Sequence, residues 1–164
     1  MIALWLWWAC APREVAPLTD PAGWSLSRDG DPFPSHAAPY AECPFDEAGA
    51  FYEEGGVLEV DTGACGYLIL TQASLVDVRP GDMLSWSVGH SDLIAAGPAQ
   101  AHVAITLGDD VLWDWTQVIP APSGFQLLTA EAPSRAPAGT PLRIHMHNHG
   151  QNKWLFVDDQ VEPR

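Results

Sequence analysis

Three histidines at alternate positions are the residues of this chain whose types and spacing point most clearly to chemistry. His145, His147 and His149 lie in the stretch LRIHMHNHGQNKW. In an extended strand alternate side chains share a face, and neighbours on that face lie about 6.6 Å apart at their Cα atoms. Two adjacent imidazoles at this spacing can bind one Zn or Cu ion, whereas the outer pair, about 13 Å apart, cannot readily share one.

The residues between these histidines predict which way the imidazoles point. Three aliphatic side chains alternate with them and are expected to fill the interior of a sheet, so that Arg143, His145, His147 and His149 lie on the outward face. His102 has the same outward phase in the stretch AHVAITL. These five side chains are the predicted ligand-binding face, and His145, His147 and His102 are candidate ligands for Zn or Cu. A metal site and a polar face that binds a ligand through hydrogen bonds are both open alternatives.

Two tryptophans form a second candidate feature. Trp113 and Trp115 flank Asp114 in the stretch VLWDWTQVIP, so both indoles share one face of a strand. An exposed pair of indoles would be a stacking platform for sugar rings. A buried pair would belong to the core, where Trp is usually found.

Short strands are the elements that the sequence predicts to position these residues. Apolar and polar residues alternate in stretches such as VLEVD, SLVDV, MLSWSV and AHVAITL, and Gly, Pro and Asp punctuate the chain every 8–12 residues. No segment shows sustained helical periodicity. About nine strands of this kind indicate an all-β protein, an antiparallel β-sandwich or barrel, formed by a single domain over residues 24–164.

The first 23 residues predict export and anchoring. Residues 1–9 resemble the end of a bacterial lipoprotein signal, in which a small residue, here Ala9, precedes a Cys that becomes lipidated, here Cys10. The apolar run is too short to cross a bilayer as a helix, so membrane contact is expected only through the lipid. Residues 10–23 are rich in proline and are predicted to be a tether. The expected location is the bacterial cell envelope.

The two remaining cysteines fit this compartment. Cys43 and Cys65 are a natural disulfide pair in an oxidising environment. The bridge would close a loop of about 20 residues, worth about 3 kcal/mol in the chain-entropy model. Two buried thiols are the alternative.

Charge narrows the classes of partner. The chain has 21 acidic residues against 7 Lys and Arg, a formal net charge of −14. Such a field repels phosphate backbones, so nucleic acid is not an expected partner. The sequence also has no GxSxG segment and no phosphate-binding glycine loop, which disfavours nucleophilic catalysis.

The order of several motifs resembles the galactose-binding-like jelly roll of many carbohydrate-binding modules. These motifs are an opening GW, then GVLEVDTG, VDVRPGDMLSWSV, WDWTQVIPAPSGF, APAGTPLRI and WLFVDD, and together they span residues 22–163. The resemblance implies a jelly-roll β-sandwich and a non-catalytic glycan-binding role. It also implies a structural calcium site in which Asp158 or Asp159 joins backbone carbonyls; a strand that ends in solvent is the alternative.

The sequence therefore predicts a cell-envelope glycan-binding protein that is not an enzyme. Its expected site is the outward face of the strand with Arg143, plus His102 and the two tryptophans. A Zn- or Cu-binding envelope protein is the second hypothesis. A lyase or hydrolase built on a jelly roll, using a pair of carboxylates, is the third.

Overall fold

Ten strands and one short helical turn make up the regular structure. The computed structural model describes residues 12–27, 29–36, 49–63, 65–150 and 152–164. Within these ranges the helical turn is a 3-10 turn at Pro34–His36. The strands are β1 Ser25–Ser27, β2 Phe51–Glu54, β3 Val57–Asp61, β4 Tyr67–Ala73, β5 Met83–His90, β6 Ala99–Leu107, β7 Asp110–Ile119, β8 Gly124–Glu131, β9 Pro141–Asn148 and β10 Lys153–Glu162.

The strands form two five-stranded sheets. Sheet 1 has the order β1-β4-β9-β6-β7, and sheet 2 has the order β2-β3-β10-β5-β8. Every neighbouring pair is antiparallel. The predicted antiparallel β-sandwich is confirmed. Among the described residues, no helix is long and apolar enough to cross a bilayer.

The core lies between the inner faces of the two sheets. Alternation in each strand sends one set of side chains inward, and aromatic rings from both sheets meet there. The Trp86 ring lies 6.1 Å from the Phe156 ring and 6.2 Å from the Trp113 ring, measured between centroids. Leu84, Val88, Val103, Ile105, Leu142, Ile144, Met146 and Trp154 are also buried in this core.

One predicted strand is not a strand. Val78 forms only an isolated backbone pair with Ala136, and the stretch SLVDV otherwise has no ladder partner among the described residues. Val78 is nonetheless fully buried. The alternation of apolar residues there reflects burial of a loop at one end of the sandwich, because periodicity reports which side chains are buried and not which backbone groups are paired.

The predicted tether packs against the sandwich. Leu18 is buried in the core, and the backbone of Ala16 pairs with Val161 of β10. The guanidinium of Arg13 donates two hydrogen bonds, 2.7 and 2.6 Å long, to the carboxylate of Asp82. The expected boundary at residue 24 is therefore wrong, since the domain extends back at least to Arg13. A segment without periodicity can still be ordered when its backbone groups find partners.

A bulge in β10 provides hydrogen-bond partners for the backbone of this N-terminal segment. Between Val157 and Gln160 the strand has one more residue than β5 opposite it, and Asp158 there has a positive φ of 47°. The Asp159 carboxylate accepts hydrogen bonds from the backbone N–H groups of Leu18 and Thr19 at 2.7 and 3.0 Å, and from the Thr19 hydroxyl.

These contacts give Asp159 a structural role in holding the N-terminal segment, and the calcium site that the resemblance implies for Asp158 or Asp159 stays a prediction. Burial raises the pKa of the Asp159 carboxyl, although the three donated hydrogen bonds oppose that shift. Asp158, next to it, has an exposed side chain.

The cysteine predictions lie largely outside the described residues. Cys10, the expected lipidation site, and Cys43 are in parts of the chain that the structure does not describe. Cys65 is buried in the core, 3% exposed. The pairing of Cys43 with Cys65 stays a prediction.

Candidate functional site

Strand β9 alternates as the sequence predicts. Its outward side chains are Arg143, His145 and His147, and His149 follows the end of the strand at Asn148. The side chains on the other face are fully buried in the core; they are Leu142, Ile144 and Met146.

The sheet brings histidines from two strands together. β6 lies beside β9, and His102 is paired directly with His147 across the two strands. The ring centroids of His102 and His145 are 5.0 Å apart, and those of His147 and His149 are 4.9 Å apart. Four of the six histidines therefore meet on the outer face of sheet 1.

A loop segment covers part of this face. The carboxylate of Asp31 lies 2.9 Å from Nδ1 of His145, and the Tyr67 hydroxyl of β4 donates to its other oxygen. Because an ionised carboxylate only accepts hydrogen bonds, His145 donates from Nδ1. The side chains of His145 and Asp31 are 0% and 8% exposed. The expectation that His145 points into solvent is therefore wrong, since this segment buries it.

Phe33 of the same segment lies over the histidines. Its ring is edge-to-face with His102, with 4.6 Å between centroids, and 5.2 Å from His145. Beside Phe33 the face stays open as a groove of about 380 Å³. Phe33, Gln100, Ala101, His102, Asp114, Thr116, His147 and His149 line this groove.

Asp114 of β7 is the charged acceptor of the groove. Its Oδ1 lies 2.7 Å from Nε2 of His102, which donates to it, and the Asp114 side chain is 53% exposed. A carboxylate has two oxygens and about four acceptor positions, so Asp114 can accept further hydrogen bonds from a ligand while it orients His102. Thr116 is paired with His102 across the strands and adds an exposed hydroxyl.

Arg143 lies away from the groove. It donates a hydrogen bond of 3.2 Å to the carbonyl of Gly108. Its guanidinium also lies against Gly30, where a Cβ atom would come within 2.6 Å of it. Arg143 therefore supports two loops, and its predicted place among the ligand-binding residues is not supported.

The tryptophan platform is also corrected. Trp113 is 8% exposed and packs edge-to-face on Trp86 in the core. Trp115 is half-buried, and its ring lies 5.5 Å from that of Trp154 between centroids. Both indoles point between the sheets because they are paired with inward residues of β6, namely Ile105 and Val103.

The histidines were also candidate ligands for Zn or Cu. Within the ranges that the structure describes, no group of three or more His, Cys, Asp or Glu side chains is arranged to hold a metal ion. His102 and His145 lie side by side, but each imidazole is hydrogen-bonded to a carboxylate. His102 pairs with Asp114, and His145 pairs with Asp31.

Sequence reasoning missed five residues of the groove, namely Phe33, Gln100, Ala101, Asp114 and Thr116. Asp114 and Thr116 lie on the opposite face of β7 from the two indoles, and this alternation was readable once the indoles were assigned to the core. Phe33 lies in the stretch GDPFPSHAAP, which has no strand pattern that would place it against β6 and β9.

Comparison with known proteins finds likeness only in structure. No protein-family model and no curated protein sequence matches the chain. The carbohydrate-binding module TmCBM27, described for specific mannan recognition, superposes with a TM-score of 0.51 at 10% identity, covering 93% of this chain and 96% of that one. A CBM4 structure gives 0.47 at 10% identity over 71% of this chain and 90% of that one. A mutant of a family 29 carbohydrate-binding module gives 0.47 at 7% identity over 90% and 89%.

The fold is the jelly roll of carbohydrate-binding modules. The resemblance in the order of sequence motifs is confirmed at the level of the fold, and the alignment spans almost the whole of both chains. At 10% identity the superposition carries no information about individual site residues.

Proposed function

We propose that this protein binds a glycan, without chemical conversion, in the groove on the outer face of sheet 1. The observation that carries the proposal is the meeting of polar side chains from β6, β7 and β9 with the ring of Phe33 around one open groove of about 380 Å³. A volume of this order accommodates one or two sugar rings.

The groove offers the two kinds of contact that a sugar needs. Asp114 accepts hydrogen bonds from hydroxyl groups, and Gln100, Thr116 and the imidazoles can each donate or accept. The ring of Phe33 provides an apolar surface for the C–H face of a pyranose. Asp114 is the only Asp, Glu, Lys or Arg among the groove residues, so the lining suits a ligand rich in hydroxyl groups.

The comparison with solved structures supports the same class of ligand. TmCBM27, described for mannan recognition, has this fold over 96% of its length. A polysaccharide or oligosaccharide is therefore the ligand class we propose.

A glycan array followed by calorimetry tests the proposal. The intact chain is expected to bind at least one glycan. Thr116→Ala removes a hydroxyl from the groove and is expected to weaken that binding about threefold to tenfold, the usual effect of one neutral hydrogen bond.

The matched control is Ser85→Ala, which removes a half-buried hydroxyl of β5 on sheet 2, outside both the groove and β8. It is expected to bind as the unchanged protein does. Failure to bind any glycan, or equal loss in the two variants, would contradict the proposal.

A further inference from the structure

The two sheets have four edge strands, which differ in how well they are protected against pairing with a strand of another molecule. An unprotected edge pairs with other strands, and natural proteins prevent this with short, charged or bulged edge strands. In the described residues β1 has three residues, β2 has four and includes Glu53 and Glu54, and β7 has a bulge and includes Asp110 and Asp114. Each of these three edges has a protective feature.

β8 has none of them over residues 124–130, and its one charged residue, Glu131, is its last. It is eight residues long and pairs with β5 in unbroken register from Gly124 to Glu131. Residues 115–130 contain no charged residue, although the whole chain has a formal net charge of −14. Within the described residues, no strand pairs with the other edge of β8.

Two large apolar side chains of β8 are exposed. Phe125 is 62% exposed and Leu127 is 65% exposed, more than any other large hydrophobic residue that the structure describes. The Phe125 ring leans inward over Gly89 of β5, where a Cβ atom would lie 2.9 Å from it. The ring therefore leaves the outer edge of the strand open.

We propose that β8 is a dimerisation edge, on which β8 of a second copy of this chain adds as an antiparallel strand. The charge distribution determines where a second copy can approach. Two chains of charge −14 repel each other over most of their surface, and residues 124–130 of β8 are an uncharged stretch where close approach brings no carboxylates together.

A twofold axis at Leu127 gives a register that fits the side chains. Leu127 then lies opposite Leu127 of the second copy, and Phe125 lies opposite Thr129. Glu131 lies beyond the paired residues, opposite Ser123, so like charges do not meet. The pairing joins the two copies of sheet 2 into one continuous ten-stranded sheet, with the groove of each copy on the sheet that takes no part in the contact.

A single strand pair is a small interface, so the dimer is expected to depend on concentration. Sedimentation velocity of the intact chain from about 5 to about 500 µM covers the range in which interfaces of this size dissociate. We expect the weight-average mass to rise toward twice that of the chain. Leu127→Lys, which places two like charges opposite each other, is expected to weaken association at least about tenfold.

The matched control is Ile94→Lys, which introduces the same charge at a 60% exposed aliphatic residue outside β8. It is expected to dimerise as the unchanged protein does. A monomer at all concentrations would overturn the proposal. A dimer that persists in Leu127→Lys would also overturn it, because it would show that the chain associates through another segment.

Hydrogen exchange provides a measurement that needs no variant. Those backbone amides of residues 124–130 that point away from β5 are expected to exchange more slowly at high than at low concentration, whereas the amides of the edge strand β7 are expected to exchange equally. Equal exchange of β8 amides at both concentrations, in a sample shown to be dimeric, would also overturn the proposal.

Discussion

Asp82 links Arg13 and Arg164 to the turn before β5. Its fully buried carboxylate accepts hydrogen bonds from the Arg13 guanidinium and from the backbone N–H groups of Arg79 and Arg164, the last two at 2.8 and 3.3 Å. The hydrogen bonds from Arg13 are the main cause that lowers the Asp82 pKa from 3.8 to about 2, against the opposing effect of burial. The ion pair therefore links protonation to stability.

The sign of that link follows from the lowered pKa. A carboxyl that is more acidic in the folded state stabilises the protein above its unfolded pKa, and this stability is lost as the pH falls from 3.8 toward 2. We expect Asp82 to contribute about 2 kcal/mol to the free energy of unfolding at pH 5. Urea unfolding at pH 5 and pH 2 should show a smaller difference in Asp82→Asn than in the unchanged protein. An identical pH dependence in the two proteins would contradict this role.

Asp114 is the residue whose loss should affect binding most while leaving the fold intact. Its side chain is 53% exposed, but it accepts a hydrogen bond from the buried His102, so stability should fall by about 1 kcal/mol in Asp114→Ala. Hydrogen bonds to a charged group are worth about 1.5–3 kcal/mol, so we expect glycan affinity to fall at least about tenfold. Asp109→Ala, at an exposed turn residue, is the control. Calorimetry that finds equal affinities for the two variants would remove Asp114 from the site.

At the scale of elements, the turn between β9 and β10 shows how closely the loops pack. Gly150 in this turn has a positive φ of 131°. Asn148 donates to the Thr62 hydroxyl at 2.6 Å, and Asn152 accepts from the backbone N–H of Ile94 at 2.8 Å. Both asparagines are buried, and these hydrogen bonds hold the turn against neighbouring loops.

Gly150→Ala is expected to destabilise the domain more than a comparable change elsewhere. A Cβ atom at Gly150 would overlap the carbonyl oxygen of Ile94, and the backbone conformation itself disfavours a side chain. We expect a loss above about 2 kcal/mol. Gly55 has φ 62° and open space around it, so Gly55→Ala measures the cost of the backbone conformation without a steric clash. It should lower the free energy of unfolding by about 1 kcal/mol. Thermal unfolding that ranks Gly55→Ala as the more damaging change would contradict the packing described for this turn.

The strands were largely predictable because burial has a period of two in an antiparallel sandwich. The inward phase of Leu142, Ile144 and Met146, and with it the outward phase of the histidines, follows from side-chain order alone. The loop around Val78 and the segment around Leu18 are ordered without forming strands. Their backbone groups are satisfied by particular partners far away in sequence, which no local pattern reports.

At the scale of the whole molecule, the site was only partly predictable. Side-chain phase placed His102, His145 and His147 on outer faces, but the adjacency of β6 and β9 is a property of the sheet order, and crossing connections determine that order. The burial of His145 depends on Asp31 and Phe33, which reach it from more than 100 residues away. A groove assembled by a loop and three strands is a tertiary feature, and one sequence does not specify it by spacing.

Proposed glycan binding and dimerisation use opposite sheets of the sandwich. Sheet 1 carries the polar groove, and sheet 2 ends in β8, whose residues 124–130 are uncharged. A dimer formed through β8 would leave both grooves open. Two grooves on one particle would raise the apparent affinity for a repeating polymer without any new contact, because the second binding event becomes intramolecular.

The most direct test of the glycan-binding groove is an NMR titration of the isotope-labelled chain with the best ligand from the array. The account predicts that backbone amide signals near Phe33, His102, Asp114 and His147 shift with a common saturation curve, while signals of β5, β8 and β10 stay in place. Shifts concentrated on sheet 2, or no shifts at a ligand concentration that saturates binding, would contradict it.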